Sequence, residues 1–143
     1  MPIDRRTFLG ISTALATLRA APALAAAQAA TVEAPMRRKI PGTNEQLPVI
    51  GMGTADTFNV GRTSEERAPL GEVLAMLLQR IPHAVVDTAP SYGSAEVVTG
   101  DLLQAANARR NVFVATKISS GAPNAIEQFT QSRADLRSDV VDL

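Results

Sequence analysis

The sequence contains no cysteine and no tryptophan, a single tyrosine, Tyr92, and a single histidine, His83. Without cysteine, disulfides and thiolate metal sites are excluded. One histidine cannot build a His-rich metal centre. His83 follows Pro82 and precedes an apolar run, where it reads as a loop or strand-entry residue. An excess of either charge is also missing, because 14 basic residues balance 14 acidic ones. That balance gives no reason to expect nucleic acid or an anionic membrane surface as a partner. The basic triplet Arg37-Arg38-Lys39 stands alone and reads as a solvated turn. A length of 143 residues suits one ordinary domain.

The first 29 residues read as an export signal rather than as part of the fold. Asp4-Arg5-Arg6-Thr7-Phe8-Leu9-Gly10 carries a twin arginine, and a moderately apolar stretch from Ile11 to Leu18 follows. Small-x-small sites come next, at Ala23-Leu24-Ala25 and Ala27-Gln28-Ala29. A basic region, a short apolar region and a small-residue cleavage site make a signal peptide. The apolar run is too short and too mild to span a bilayer. The twin arginine resembles the signal read by the twin-arginine (Tat) translocase, with Asp4 where that motif usually has Ser or Thr. The resemblance implies Tat as a partner and a periplasmic or other extracytoplasmic destination. An uncleaved signal would instead tether the chain to the membrane. Cleavage leaves about 114 residues with 11 basic and 13 acidic groups. Residues 30–37 then read as a linker before a domain over 38–143.

Within that domain, Arg38 to Ile50 holds two short runs around Gly42-Thr43-Asn44, which predicts a hairpin. Val49 to Thr54 predicts a buried strand whose glycines, Gly51 and Gly53, allow close approach to the backbone. A helix is expected from Thr63 or Ser64, with Thr63 and Glu66 placed for a capping box. Its apolar stripe is Leu70, Val73, Leu74, Leu77 and Leu78, and Ile81-Pro82 stops it. Ala84-Val85-Val86 is a strand. Ser94 is placed to N-cap a second helix, with the stripe Ala95, Val98, Leu102 and Ala105. Val112 to Ala115 is a further strand. Asn124 to about Arg133 is a third helix, with Ile126, Phe129 and Arg133 on one side. Asp139 to Leu143 opens a last strand. Apolar strands without period-2 alternation, separated by amphipathic helices, predict an α/β fold with a helix-covered parallel sheet.

Two layouts compete. A doubly wound sheet should show a glycine-rich phosphate turn after its first strand. Gly51-Met52-Gly53-Thr54 lacks the third glycine, and the next helix begins several residues later. In a (β/α)8 barrel, reactive residues stand at the C-terminal ends of strands. Asp87 and Lys117 both end an apolar run, in Val85-Val86-Asp87 and Val112-Phe113-Val114-Ala115-Thr116-Lys117. The barrel fits better.

Taken singly, an aspartate at a strand end caps a loop, a lysine ends a solvated edge, and Tyr92 packs in a loop. Placed together on consecutive βα units, they make a relay. A phenol titrates near 10 when unperturbed, and an adjacent ammonium favours its ionised form. Asp87 can hold that ammonium charged and oriented. The trio therefore suits proton donation to a developing alkoxide. Carbonyl reduction needs a hydride that no side chain supplies, so it needs a cofactor.

These segments resemble the N-terminal part of the aldo-keto reductase family. Asp87-Thr88-Ala89-Pro90-Ser91-Tyr92-Gly93-Ser94-Ala95-Glu96 is similar to its second-strand motif. Ala115-Thr116-Lys117 is similar to its third-strand lysine motif. Val49 to Thr54 resembles its first strand after a hairpin cap, and Val140-Val141-Asp142-Leu143 resembles the opening of its fourth strand. The resemblance implies the N-terminal half of a (β/α)8 TIM barrel with an N-terminal β-hairpin cap, about four of its eight βα units. It implies Tyr92 as proton donor, Lys117 as its pKa partner and Asp87 as the partner of Lys117. It also implies Gly53, Thr54 and Asp87 near the nicotinamide-ribose end of NADP(H), and a small aldehyde or ketone as substrate. The family's fourth active-site residue, a histidine at the end of strand four, would lie beyond Leu143, and His83 is at the wrong end of the barrel to replace it. The expectation is a truncated reductase, with little or no turnover by residues 1–143 alone. Two other readings stay open: a half-barrel that self-associates, and a non-catalytic nucleotide-binding or interaction remnant.

Overall fold

The computed structural model describes residues 34–119 and 121–143. The export signal expected at 1–29 and the first part of the expected linker lie outside the described residues. Among the described residues no helix is long and apolar enough to cross a membrane.

The hairpin forms as β1 (Arg37–Lys39) and β2 (Gln46–Pro48), antiparallel, with Arg38 opposite Leu47. Gly42, at φ 79°, takes the left-handed position its turn requires. The Thr43 hydroxyl closes the turn by donating to the Ile40 carbonyl at 3.2 Å. Arg37, in β1, reaches out of the hairpin and donates to the Pro82 carbonyl at 2.9 Å. That carbonyl lies just before β4 (Ala84–Asp87), so the hairpin is fastened to the end of the sheet where β4 enters.

A three-stranded parallel sheet follows, in the order β3 (Gly51–Gly53), β4 and β5 (Val112–Ala115). Its register pairs Gly53 with Asp87, and Asp87 with Ala115. Alternation along each strand assigns the two faces. Val86, Val112 and Val114 join Leu74, Leu103, Ala108 and Leu136 in the main core, with Met52 packed against it. That is the helix-covered face. Val85, Asp87, Phe113 and Ala115 therefore belong to the other face, the barrel-interior side. Gly51 has no room for a side chain there, since a Cβ would come within 2.9 Å of Val85.

Helix α1 (Ser64–Arg80) begins with the expected capping box, in which Thr63 and Glu66 satisfy each other's backbone amides. Its stripe is narrower than expected. Leu74 is buried and Leu77 and Leu78 pack beside the core, whereas Val73 is half exposed. Helix α2 (Ala95–Ala105) starts after Ser94, but the Ser94 side chain makes no cap bond. Its hydroxyl instead donates to the Val60 carbonyl at 2.7 Å. The buried face of α2 runs through Ala95, Glu96, Val98, Thr99, Gly100 and Leu103, with Ala105 exposed. Small and polar residues on that face hid it from a hydrophobic-period reading.

Helix α3 (Ala125–Asp135) departs furthest from expectation. Ile126 is 82% exposed and Phe129 also faces outward, while Ser132 and the following Leu136 are buried. The last expected strand is also different. Residues 139–143 run beside β5, with Asp142 N donating to Val114 O at 3.0 Å and Thr116 N to Leu143 O at 2.8 Å. No regular strand forms over these residues, and the Asp142 carboxylate accepts the Val114 amide at 2.8 Å. His83 enters β4 at φ 52° and is exposed.

Candidate active site

The expected relay assembles at the C-terminal end of the sheet. Asp87 is the last residue of β4, and the Thr88 amide continues the ladder by donating to Ala115 O at 2.9 Å. Thr54, directly after β3, donates to the Asp87 carbonyl from both its amide and its hydroxyl, each at 3.0 Å. Thr54 is fully buried. Its hydroxyl and amide are thus both spent on holding Asp87, and its carbonyl accepts from Phe58 N at 3.1 Å. Gly53 beside it is exposed, and a Cβ there would meet nothing within 4 Å. The rim is open at this point.

Lys117 lies two residues past β5. Its Nζ donates to both carboxylate oxygens of Asp87 at 2.8 Å and to the Thr88 carbonyl at 2.9 Å. The ammonium has three donors, and all three are directed. It also stands 4.9 Å from the centre of the Tyr92 ring, within the range of a cation–π contact. Partial burial works against the charge on Lys117. The hydrogen-bonded Asp87 carboxylate, helped by the neighbouring Tyr92, outweighs it and holds the ammonium above the usual lysine range. The side chains of Asp87 and Lys117 are 45% and 44% exposed, so water and a ligand both reach the pair.

Tyr92 comes from the loop between β4 and α2. Its amide donates to Ala89 O at 3.0 Å, and its carbonyl accepts from Ala95 N at 3.2 Å. The ring packs against the small cluster of Phe58, Ala95 and Val98. Asn59 clasps the same loop from below, its Oδ1 accepting from Ser94 N at 3.1 Å. Gly93, at φ 64°, has the Asn59 carboxamide where a side chain would begin.

The structure thus brings Asp87, Tyr92 and Lys117 together, and places Gly53 and Thr54 alongside Asp87. Three residues escaped the sequence reading of the site. Asn59 holds the Tyr92 loop, and Glu96 and Thr116 link the two sides of the relay, with Thr116 donating to Glu96 at 2.6 Å. Glu96 stood in the second-strand motif, and an acidic residue on the core side of a helix was the available signal. Asn59 gave none, because its contact spans 35 residues. No group of metal-ligating side chains occurs among the described residues.

A parallel sheet with helices on one face and reactive side chains at its C-terminal rim defines the first units of a (β/α)8 barrel. The sequence profile of the Aldo/keto reductase family matches residues 49–143, and the chain belongs to that family. Solved structures agree on the fold. A Pseudomonas aeruginosa protein assigned to the aldo-keto reductases superposes with a TM-score of 0.65 at 19% identity, over 78% of this chain and 48% of that one. A thermostable aldo-keto reductase complexed with the inhibitor epalrestat gives 0.57 at 21% identity, over 74% and 40%. The glycerol dehydrogenase of Gluconobacter oxydans gives 0.55 at 24% identity, over 73% and 37%. This chain therefore spans about half the length of these structures or less. No curated protein matches the sequence.

Proposed function

We propose that this chain carries the proton-donating side of an NADP(H)-dependent carbonyl reductase acting on aldehydes or ketones. The observation that carries this reading is the Lys117 ammonium. It is gripped by both oxygens of Asp87 at 2.8 Å and lies 4.9 Å from the Tyr92 ring. Lys117 is held charged, and a charged lysine beside a phenol stabilises the phenolate left after proton transfer. Tyr92 Oη would give its proton to the carbonyl oxygen as that oxygen gains negative charge. Asp87 fixes the ammonium in place, so little reorganisation is needed at the moment of transfer.

The residues fit the nicotinamide-ribose end of the cofactor. Gly53 leaves open space at the rim, and the half-exposed Asp87 carboxylate retains acceptor capacity beyond its two bonds to Lys117. Gly53 and Asp87 would hold that end of the dinucleotide, which when bound supplies the hydride, and the buried Thr54 would act by keeping Asp87 in place. The described residues offer no glycine-rich phosphate turn, so the grip on the cofactor from this part alone is incomplete.

The test is NADPH titration of residues 1–143, followed by the fluorescence of the reduced nicotinamide, with aldehyde-dependent NADPH oxidation measured in parallel. Saturable binding weakened by Asp87→Ala is expected, with little or no turnover. Absence of binding refutes the cofactor assignment. Brisk oxidation overturns the expectation of low activity, and oxidation undiminished in Tyr92→Phe refutes the role of Tyr92.

Export by the twin-arginine route completes the reading, supported by Arg5-Arg6 and the small-residue sites after it. A route that carries folded proteins suits a nucleotide-binding chain and implies an extracytoplasmic location. Residues 1–29 fused to a reporter should be exported, and Arg5→Lys with Arg6→Lys should stop export. Export that survives both changes refutes this route.

A further inference from the structure

We propose that Glu96 is a positioning residue, setting where the Tyr92 ring lies against the Lys117 ammonium by gripping Thr116. The inference rests on reading Tyr92 and Lys117 as the working pair of the site. Glu96 is a carboxylate only 4% exposed, and among the described residues no cation pairs with it. Burying a carboxylate away from water is costly unless it is well hydrogen-bonded. Its partners here are two hydroxyls. Thr116 Oγ1 donates to Oε1 at 2.6 Å, and Ser132 Oγ donates to Oε2 at 3.2 Å. The first has the length of a charge-assisted O–H···O bond, the stronger kind. Glu96 also stands in the first turn of α2, where the helix dipole favours negative charge.

The placement of these atoms matters more than their energy. Tyr92 lies four residues before Glu96, and Thr116 immediately precedes Lys117. Asp87 and the β4–β5 ladder tie Lys117 to the strand before Tyr92, but they do not touch the segment that enters α2. The Glu96–Thr116 bond spans that gap. It joins the helix entered from the Tyr92 loop directly to the strand end that carries Lys117. Ser132 donates to the other oxygen of the same carboxylate from α3 and does not touch the strand end that carries Lys117.

The sequence makes the test direct, because lysine occurs only at positions 39 and 117. The full chain, labelled with carbon-13 at the lysine ε-carbon, should give two ε-methylene resonances, told apart by Lys39→Arg. The Tyr92 ring displaces the Lys117 resonance, and Tyr92→Leu defines its undisplaced position. Thr116→Val removes the hydroxyl with little change of shape and should abolish most of that displacement. Thr116→Ser restores the hydroxyl and should restore the displacement. Ser132→Ala removes the other donor to Glu96 and should leave the Lys117 resonance in place, even though it destabilises the same carboxylate. Far-ultraviolet circular dichroism checks that each variant is folded. Should Thr116→Val not fold, Glu96→Met, which fills the space without an acceptor, is read in its place with the same expected loss. A folded Thr116→Val or Glu96→Met variant with an unmoved Lys117 resonance overturns the proposal, as does an equal loss of the displacement in Ser132→Ala. The readout needs neither NADPH nor turnover, so a failure of the proposed reductase function leaves this result intact.

Discussion

Replacing Gly100 and Gly71 by alanine, one at a time, should move stability in opposite directions. Both glycines lie inside helices, Gly71 in α1 and Gly100 in α2. In a helix interior alanine is favoured over glycine by about 1 kcal/mol. At Gly71 a new Cβ meets only Leu102 Cδ2 at 3.6 Å, an ordinary contact, so this gain should survive. At Gly100 the new Cβ overlaps the Asp135 carbonyl oxygen and lies 2.7 and 2.8 Å from Leu136 backbone atoms. Overpacking costs about 1–3 kcal/mol, and backbone cannot rotate aside as a side chain can, which puts Gly100→Ala near the upper end. Subtracting the propensity gain leaves a net loss of about 2 kcal/mol. For a domain of roughly this size, about 2 kcal/mol lowers Tm by about 10 °C. Gly71→Ala should raise Tm by a few degrees. Thermal and urea unfolding followed by far-ultraviolet circular dichroism measure both. A Gly100→Ala variant as stable as the parent would refute the claim that α2 touches the end of α3 backbone to backbone.

Lys117 has its pKa raised, so the stability it contributes is complete below the ordinary lysine range and fades as pH rises through its folded value. The unfolding free-energy difference between the parent chain and Lys117→Met should therefore be flat up to about pH 10 and shrink above it; a difference that grows with pH contradicts this. Asp101 bridges Arg67 at 2.5 Å and Arg137. Burial opposes its charge, but the hydrogen bonds from Arg137 and Arg67 prevail and lower its pKa. Asp101→Asn should cost roughly 1–2 kcal/mol at neutral pH, and urea titrations should show that cost vanishing as pH falls below about 4, through the depressed value of the folded state. Thr63→Ala removes the α1 cap and should cost about 1 kcal/mol, read as a shifted urea midpoint with an unchanged slope.

The three strands of the parallel sheet and the meeting of Asp87, Tyr92 and Lys117 were legible in the sequence, whereas the last expected strand was not and the helix faces were only partly so. Apolar runs ending in Asp87 and near Lys117 mark strand ends because a buried parallel strand tolerates charge only where it reaches the rim. The Thr63–Glu66 capping box is local, and local chemistry survives folding intact. Ile126 and Phe129 misled because hydrophobic periodicity counts apolar residues, while α3 turns Ser132 inward to reach Glu96 at 3.2 Å. Gly100 and Thr99 hid the inner face of α2 for the same reason: close approach of two helices selects small residues. The bond of Asp142 to Val114 was unreadable, since a side chain there replaces a backbone acceptor that strand patterns assume.

The clasp of Asn59 on Gly93 and Ser94 bears on how this rim can diversify. Loops that follow barrel strands are where relatives sharing a scaffold usually acquire new preferences. Here the first such loop holds the turn that presents Tyr92, through Asn59 at 3.1 Å and Val60 at 2.7 Å. Lengthening or shortening the stretch between Asp56 and Arg62 would also displace Tyr92. This loop is therefore poorly placed for evolutionary tinkering, and inheritable variety in what the rim accepts should accumulate in loops that do not hold Tyr92.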